Sequence, residues 1–470
     1  MRLSGRWKLG FVVAAAVALL APAVAPGATT FKRLDGFDAP GTPKRLDRVG
    51  VLQVGSSNAR NILVLNPGTS ASAAYFRPLA SVITTELKGW QVWAVERREN
   101  MLEDQSVFNQ QKAGESTTAE TFGYYFGWIL GHPADPSFQP IPDGEVAFAR
   151  DWGMRVEVGD LRRVVRRAEQ RGGRVVLGGH SLGGSITTAY ATWDFGGEPG
   201  AKGLDGLVYI DGGSDPTPIT EEEADQALDD LQGTSPWLNF GGIPAPLAGL
   251  FNTGGSLAAL NEPDAPSIGQ EQLPLEAFGL EPPCPATNLG QYGFALDTET
   301  SPGGLIAAQA HLGKLDASTE PCTEESIELH GWDQAGEITP ISRYARMFAG
   351  AGLGGLDGTA WYHPRRLTID AGAVAAGNPN PAQQVLDVRS IHGSDLQRKL
   401  RIYAFGAALG GQGVLDAASI LADQSGIPDK HLTLIDRHET YAHNDPAGAA
   451  PDNEFVDGLV PFLRKVPHGG

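Results

Sequence analysis

The stretch from Arg174 to Gly184, RVVLGGHSLGG, decides the fold that is predicted for this chain. Residues 174–177 form a short apolar, β-branched run typical of a buried strand, and residues 185–193 are compatible with a helix. Between them, Gly179 to Gly183 match the pattern G-x-S-x-G. In that pattern a serine occupies a strained turn from strand to helix, where flanking side chains would collide. Because 61 of the 470 residues are glycine, the pattern needs support from its surroundings.

Those surroundings alternate between strand-like and helix-like runs. Strands are predicted at 61–65, 90–95, 174–177, 207–210, 401–405 and 432–435. Helices are predicted at 75–87, 154–170, 185–193, 414–424 and 455–463. Strands that alternate with helices in this way predict a mostly parallel, doubly wound α/β sheet.

Two segments interrupt the alternation. Residues 100–150 contain a cluster of aromatic side chains at 122–128, for which both core packing and the wall of an apolar pocket are open interpretations. Residues 212–398 are too long and too apolar for a single loop. We interpret them as a large, mainly helical cap inserted before the penultimate strand, so that the sheet domain comprises 29–211 and 399–470.

The amino-terminal residues predict export from the cytoplasm. Arg2, Arg6 and Lys8 precede an apolar run at 9–20, which small residues follow. This order is typical of a secretory signal peptide, and the run is shorter than the ~20 residues that a membrane span needs. We therefore expect a signal peptide at 1–28 and a secreted chain without a stable membrane span, the alternative being an uncleaved anchor.

The two cysteines are consistent with this location. Outside the cytoplasm a cysteine pair is expected to be oxidised, so Cys284 and Cys322 predict one disulfide.

The formal net charge of -19 argues against a nucleic-acid partner. No metal-binding motif and no credible cofactor motif occur, so neither a metal nor a cofactor is expected. The oligomeric state is left open.

The strand order and the G-x-S-x-G turn resemble the α/β-hydrolase superfamily, in particular its secreted esterases and lipases. The resemblance covers roughly residues 60–211 and 400–465 and does not extend to the cap. It implies a triad that follows the chain order serine, acid, histidine. Ser181 is then the candidate nucleophile, and the histidine is expected on the loop after the last strand. Of the two histidines there, we favour His443 over His438, because His438 follows the strand too closely to reach the serine.

The acid is predicted with two alternatives. The usual position in the superfamily follows the penultimate strand, but the loop at 406–413 contains no carboxylate. Some lipases carry the acid one strand earlier, which favours Asp211. Asp416 is the alternative acid, and others such as Asp215 are weaker candidates. An aspartate after a strand also commonly caps the next element without any catalytic role.

The resemblance further implies an oxyanion hole formed by the backbone N–H groups of Leu182 and Thr69. The expected activity is hydrolysis of a small-molecule or lipid-like carboxylic ester through an acyl-enzyme. Peptidase or acyltransferase chemistry on the same triad, and a non-catalytic binding protein on the same fold, remain alternatives.

Overall fold

The structure is a computed structural model that describes residues 28–316 and 320–467. The predicted signal peptide lies almost entirely outside the described residues. Within them, no helix is both long and apolar enough to cross a membrane.

Eight strands form the main sheet and two short strands form a separate hairpin-like pair. The ten strands are β1 (Thr29–Asp35), β2 (Arg48–Gly55), β3 (Asn61–Asn66), β4 (Trp90–Glu96), β5 (Val175–His180), β6 (Gly206–Ile210), β7 (Lys314–Leu315), β8 (Trp332–Asp333), β9 (Arg401–Gly406) and β10 (Leu432–Asp436). The main sheet has the order β1-β2-β4-β3-β5-β6-β9-β10, and β7 pairs with β8. In the main sheet, β2 is antiparallel to β1 and β4, whereas all other neighbours are parallel. Strands β7 and β8 are antiparallel. The predicted fold class, a mostly parallel sheet, is confirmed.

Fifteen α-helices lie in the connections between these strands and after the last strand, within the described residues. They are α1 (Arg77–Glu86), α2 (Ser106–Ala113), α3 (Thr118–Phe126), α4 (Met154–Glu169), α5 (Leu182–Thr192), α6 (Glu221–Gly233), α7 (Leu247–Asn261), α8 (Ile268–Gln272), α9 (Asn288–Leu296), α10 (Ile341–Ala349), α11 (Arg365–Ala371), α12 (Pro381–Leu386), α13 (Gly411–Gln424), α14 (Asp445–Gly448) and α15 (Glu454–Lys465).

The sheet is buried on both faces, which explains why its central strands are apolar throughout. Successive side chains of a strand point to opposite faces. In β3, Leu63 and Leu65 belong to the apolar layer that contains α1 and α15, whereas Ile62 and Val64 belong to the layer that contains α4, α5 and α13. The result is a three-layer arrangement with helices on both sides of the sheet.

The inserted segment between β6 and β9 divides between these two layers. Leu250 and Leu257 of α7 pack in the same layer as α1. Ala224 of α6 and Leu367 of α11 pack instead in the layer of α4 and α5. The segment 212–398 therefore contributes side chains to both apolar layers.

Two strands of the main sheet, β1 and β2, and the short pair β7 and β8 were not predicted from the sequence. Strand β1 (TTFKRLD) has few bulky apolar side chains and three charged ones, and in β2 (RVGVLQVG) Gly50 and Gln53 interrupt the apolar run. Strand β1 forms the edge of the sheet and is mostly half-buried or exposed, so its pattern lacks the continuous apolar run of the central strands.

The predicted disulfide is present. Cys284 and Cys322 are joined with a Cα–Cα distance of 5.1 Å. The bond ties the chain just before α9 to the segment that leads into β8.

Candidate active site

The turn between β5 and α5 holds Ser181 in a strained conformation. Its φ is 56° and its ψ is -128°, in a region that residues with a side chain rarely adopt. Strand β5 ends at His180 and α5 begins at Leu182, so the serine alone makes the turn. Its backbone N–H donates to the carbonyl of Ile210 at 3.0 Å, which ties the turn to the end of β6.

The glycines on both sides of the serine are required by contact distances. A Cβ on Gly179 would lie 2.0 Å from the carbonyl oxygen of Gly183, and a Cβ on Gly183 would lie 2.2 Å from that of Asn66. Both distances are far below any van der Waals contact, and the colliding atoms are backbone. The pattern G-x-S-x-G therefore follows here from close packing of the turn against the ends of β3 and α5.

His443 and Asp211 meet at the carboxyl edge of the sheet. The Nδ1 atom of His443 lies 2.6 Å from Oδ2 of Asp211, and both side chains are buried. The other ring nitrogen, Nε2, has no hydrogen-bond partner within the described residues. His443 lines the same cavity as Ser181. A neutral imidazole held through Nδ1–H in this way presents Nε2 as a free proton acceptor.

The carboxylate of Asp211 is surrounded by hydrogen-bond donors. Its Oδ1 accepts from the backbone N–H groups of Ala407 (2.7 Å), Gly410 (2.9 Å) and Gly411 (3.2 Å), and its Oδ2 accepts from Leu409 at 3.2 Å. Burial by itself raises the pKa of the carboxyl, but the hydrogen bond from His443, its charge and the backbone donors hold the pKa of Asp211 below its usual value. Asp211 is therefore ionised at neutral pH and can act as a counter-charge to a protonated His443.

The other sequence candidates lie elsewhere. Asp416 is exposed on α13, where its carboxylate accepts from the side chain of Gln412 at 2.7 Å. Asp215 is exposed and accepts from the backbone of Thr217. His438 is exposed and pairs with Asp436, two residues away, at 2.7 Å.

The loop after β3 lies directly against the serine. A Cβ on Gly68 would come within 2.8 Å of the Cβ of Ser181, and Thr69 lines the cavity that contains the serine. Ser70 has a φ of 53°, so the loop reverses sharply at this point. Leu182, the other predicted oxyanion donor, is the first residue of α5, where N–H groups are free of intrahelical partners and the helix dipole favours negative charge.

Arg97 holds this loop in place. It follows β4, is 1% exposed, and forms an ion pair with Glu99 at 2.8 Å. Its guanidinium donates to the carbonyls of Pro67 (3.0 Å), Gly68 (2.8 Å) and Ala71 (3.0 Å). Because one guanidinium binds three carbonyl groups of the loop, the orientations of those peptide groups are fixed. The role of Arg97 was not predicted, because the sequence shows its position after a strand but not the direction of its side chain.

A second group that the sequence did not reveal fixes the histidine loop. The Nε2 atom of His180 lies 2.9 Å from the carbonyl oxygen of His443, so its N–H donates to that carbonyl. Burial and the neighbouring His443 lower the pKa of His180, which keeps its ring neutral. The hydroxyl of Tyr75 donates to Oδ1 of Asn444 at 2.9 Å. His180, the residue before Ser181, and Tyr75, which follows β3, thus both anchor the loop that carries His443.

Asp445 anchors the same loop from its other end. This buried carboxylate accepts from the backbone N–H of Ala442 (2.7 Å), the hydroxyl of Thr339 (2.7 Å) and the ring of His311 (2.6 Å). The hydrogen bond that His311 donates to Asp445 raises the pKa of His311. The inserted segment, through Thr339 and His311, therefore supports the loop of the sheet domain.

Comparison with known proteins gives distant structural similarities only. No protein-family model matches the sequence, and no curated protein matches it. Solved structures that are similar include epoxide hydrolase A from Mycobacterium thermoresistibile (14% identity, 94% of this chain and 100% of the other, TM-score 0.41). A thioesterase domain from the curacin biosynthetic pathway has 13% identity, covers 93% and 100%, and has a TM-score of 0.40. A thermostable carboxyl esterase from Bacillus coagulans has 13% identity, covers 93% and 99%, and has a TM-score of 0.38.

The fold assignment depends on the topology itself. The second strand of the sheet is antiparallel to its neighbours, and a crossover places β4 between β2 and β3. The strands β4, β3, β5, β6, β9 and β10 are parallel, in this order across the sheet. The serine turn follows the fifth strand, at the carboxyl edge where this kind of sheet places its sites. The strand order and this turn together show that the chain has the α/β-hydrolase fold.

Proposed function

We propose that this protein is a secreted serine hydrolase that cleaves carboxylic esters with Ser181 as nucleophile, His443 as general base and Asp211 as the acid that orients the histidine. One observation carries the proposal: His443 is bound through Nδ1 to a buried, ionised Asp211, while its Nε2 is unpartnered in the cavity that also contains Ser181.

The first half of the reaction forms the acyl-enzyme. Oγ of Ser181 attacks the ester carbonyl carbon as its proton passes to Nε2 of His443. The resulting imidazolium is stabilised by the Asp211 carboxylate, and the same proton then passes to the leaving alkoxide as the carbon–oxygen bond breaks. The product of this half is a free alcohol and an acyl group on Ser181.

The charge that develops on the carbonyl oxygen is met by two backbone donors. In this proposal they are the N–H groups of Leu182 at the start of α5 and Thr69 in the loop that Arg97 holds. Fixed donors need no reorganisation as the charge appears, which is why a rigid loop at this position favours the reaction.

The second half restores the enzyme. His443 takes a proton from water, whose oxygen attacks the acyl carbon, and then returns the proton to Oγ of Ser181 as the acid product leaves. The substrate is an ester of a small molecule or of lipid-like character, because the cavity wall beside Ser181 includes the apolar side chains of Phe240, Ala308 and Phe348.

Turnover of p-nitrophenyl acetate tests the proposal. Wild-type protein should hydrolyse the ester, and Ser181→Ala should lower kcat at least about 10³-fold, because it removes the attacking atom. Ser185→Ala is a suitable control, since Ser185 lies on α5 and its hydroxyl donates to the carbonyl of Gly213. Equal turnover by wild type and Ser181→Ala would refute the proposed role of the serine.

A further inference from the structure

A large apolar cavity adjoins the cavity that contains Ser181. The first has about 740 Å³ of space free of protein atoms, its opening to solvent included, and the second about 480 Å³. The walls of the two share Phe240, Ala248, Asn252 and Ala308. The two cavities therefore adjoin each other along these residues.

The wall of the larger cavity is suited to hydrocarbon. It is built mainly by α7, α9 and the turns beside them, together with Phe122 of α3, and its apolar side chains include Ile243, Leu273, Leu275, Leu280 and Leu296. None of the described residues that line it carries a charge. Several of its polar groups are engaged within the protein: Asn288 accepts from the backbone of Ile268, and the Tyr292 hydroxyl donates to Asn252.

Of the aromatic cluster at 122–128, Phe122 lines the cavity. Tyr125 and Phe126 are buried in the core, whereas Phe122 both packs in the core and lines the cavity. The cluster thus contributes one side chain to a pocket and the rest to packing.

We propose that this cavity binds the acyl chain of the substrate, so that the preferred substrates are esters of medium-chain aliphatic acids. The proposal rests on the function proposed above. An aliphatic chain that extends from Ser181 into this apolar, uncharged cavity would be removed from water. Removing that chain from water gives a gain that grows with each methylene.

The reaction sequence favours the acyl chain over the alcohol as the occupant. The alcohol must leave while the acyl group is still bonded to Ser181, and water must then reach the acyl carbon. The acyl chain stays bound through both steps, so it is the part of the substrate that gains from an inner cavity behind the nucleophile. The alcohol part then lies toward the exit.

Two series of esters test this assignment on the wild-type protein. Across p-nitrophenyl acetate, butyrate, hexanoate and octanoate, kcat/KM should rise about fourfold per methylene. Across alkyl acetates with the same range of alcohol chains, kcat/KM should change little. A flat acyl series, or a rise confined to the alcohol series, would overturn the assignment.

A substitution in the cavity supplies the second test. Ala295 lies on α9, is half-buried and lines the cavity, so Ala295→Phe should fill part of the space. We expect octanoate turnover to fall at least about tenfold relative to wild type while acetate turnover stays within about twofold. Ala119→Phe is the matched control, because Ala119 is exposed on α3 and does not line the cavity.

The acetate readout separates the outcomes. Loss of octanoate turnover alone supports the acyl site, whereas an unchanged chain-length preference in Ala295→Phe overturns it. An equal loss of acetate and octanoate turnover also overturns it, because the effect would then be unrelated to chain length. If wild-type protein turns over no ester and Ser181 resists a fluorophosphonate, the proposed function fails instead, which the acetate measurement reports independently of chain length.

Discussion

The imidazole of His443 is bonded through Nδ1 to Oδ2 of Asp211 at 2.6 Å, and four backbone N–H groups of the loop after β9 surround the same carboxylate. The proposed acid thus lies directly after β6, while the loop that follows β9 contributes hydrogen-bond donors and no carboxylate. We therefore expect ester hydrolysis to depend on Asp211 and not on Asp416.

Asp211→Asn should lower kcat for ester hydrolysis by about 10³ to 10⁴-fold, because the amide cannot stabilise the imidazolium and favours the wrong tautomer of His443. Steady-state kinetics on p-nitrophenyl butyrate measures the effect. Asp416→Asn is the matched control and should stay within about twofold of wild type, since Asp416 is exposed and bonded to Gln412. A larger loss in Asp416→Asn than in Asp211→Asn would contradict this choice of acid.

Arg97→Lys should lower kcat by about tenfold or more and should change KM by a smaller factor. A lysine keeps the positive charge beside Glu99 but does not reproduce the planar fork that binds three loop carbonyls. The loop donors would then move away from the developing oxyanion, and small displacements of this kind are costly.

Arg98→Lys is the control for that measurement. Arg98 is equally buried but binds Asp160 and Asp47 on the other side of the chain. Both variants should lose stability, whereas only Arg97→Lys should show a selective fall in kcat for the folded protein. A fall of the same size in both variants would mean that Arg97 acts through stability alone.

His311→Gln should change how stability depends on pH. The hydrogen bond and charge of Asp445 raise the pKa of His311 in the folded protein. A raised pKa means that protonated His311 stabilises the fold below its unfolded pKa, and this contribution is lost as the pH rises through the folded pKa. The difference in unfolding free energy between wild type and His311→Gln should therefore be largest below about pH 6.5 and shrink as the pH rises above that value. Urea unfolding at several pH values measures it, and a pH-independent difference would contradict the assignment.

The double variant Cys284→Ser with Cys322→Ser should be less stable by about 2–4 kcal/mol. The bond closes a loop with a sequence separation of 38, and losing it increases the entropy of the unfolded chain. Reduced wild-type protein should unfold at the same urea concentration as the variant. A variant as stable as the oxidised wild type would show that the crosslink contributes nothing.

The sheet was predictable because its central strands are buried on both faces. Such strands leave continuous apolar runs like NILVL and WQVWAV in the sequence. The edge strand β1 left no such run, because it is packed on one neighbour only and remains partly exposed. In β2 the apolar run is interrupted by Gly50 and Gln53.

The site was predictable where local geometry dictates residue type. The glycines around Ser181 are needed by backbone contacts, and that requirement is visible in the sequence. For the acid, the sequence favoured Asp211 and kept Asp416 as an alternative, because the contacts of Asp211 with His443 and with the loop after β9 join segments that are far apart in the sequence. Arg97 and Arg98 are adjacent, yet one binds the loop after β3 and the other binds Asp160, which depends on the strand direction at the end of β4.

The central claim is that Ser181 is a nucleophile activated by His443. Intact mass after treatment with a fluorophosphonate tests this most directly. The account predicts that wild-type protein gains the mass of one probe and loses ester turnover in parallel, that Ser181→Ala gains none, and that His443→Ala reacts far more slowly. Folded wild-type protein that stays unmodified, or Ser181→Ala that is modified as fast as wild type, would contradict it.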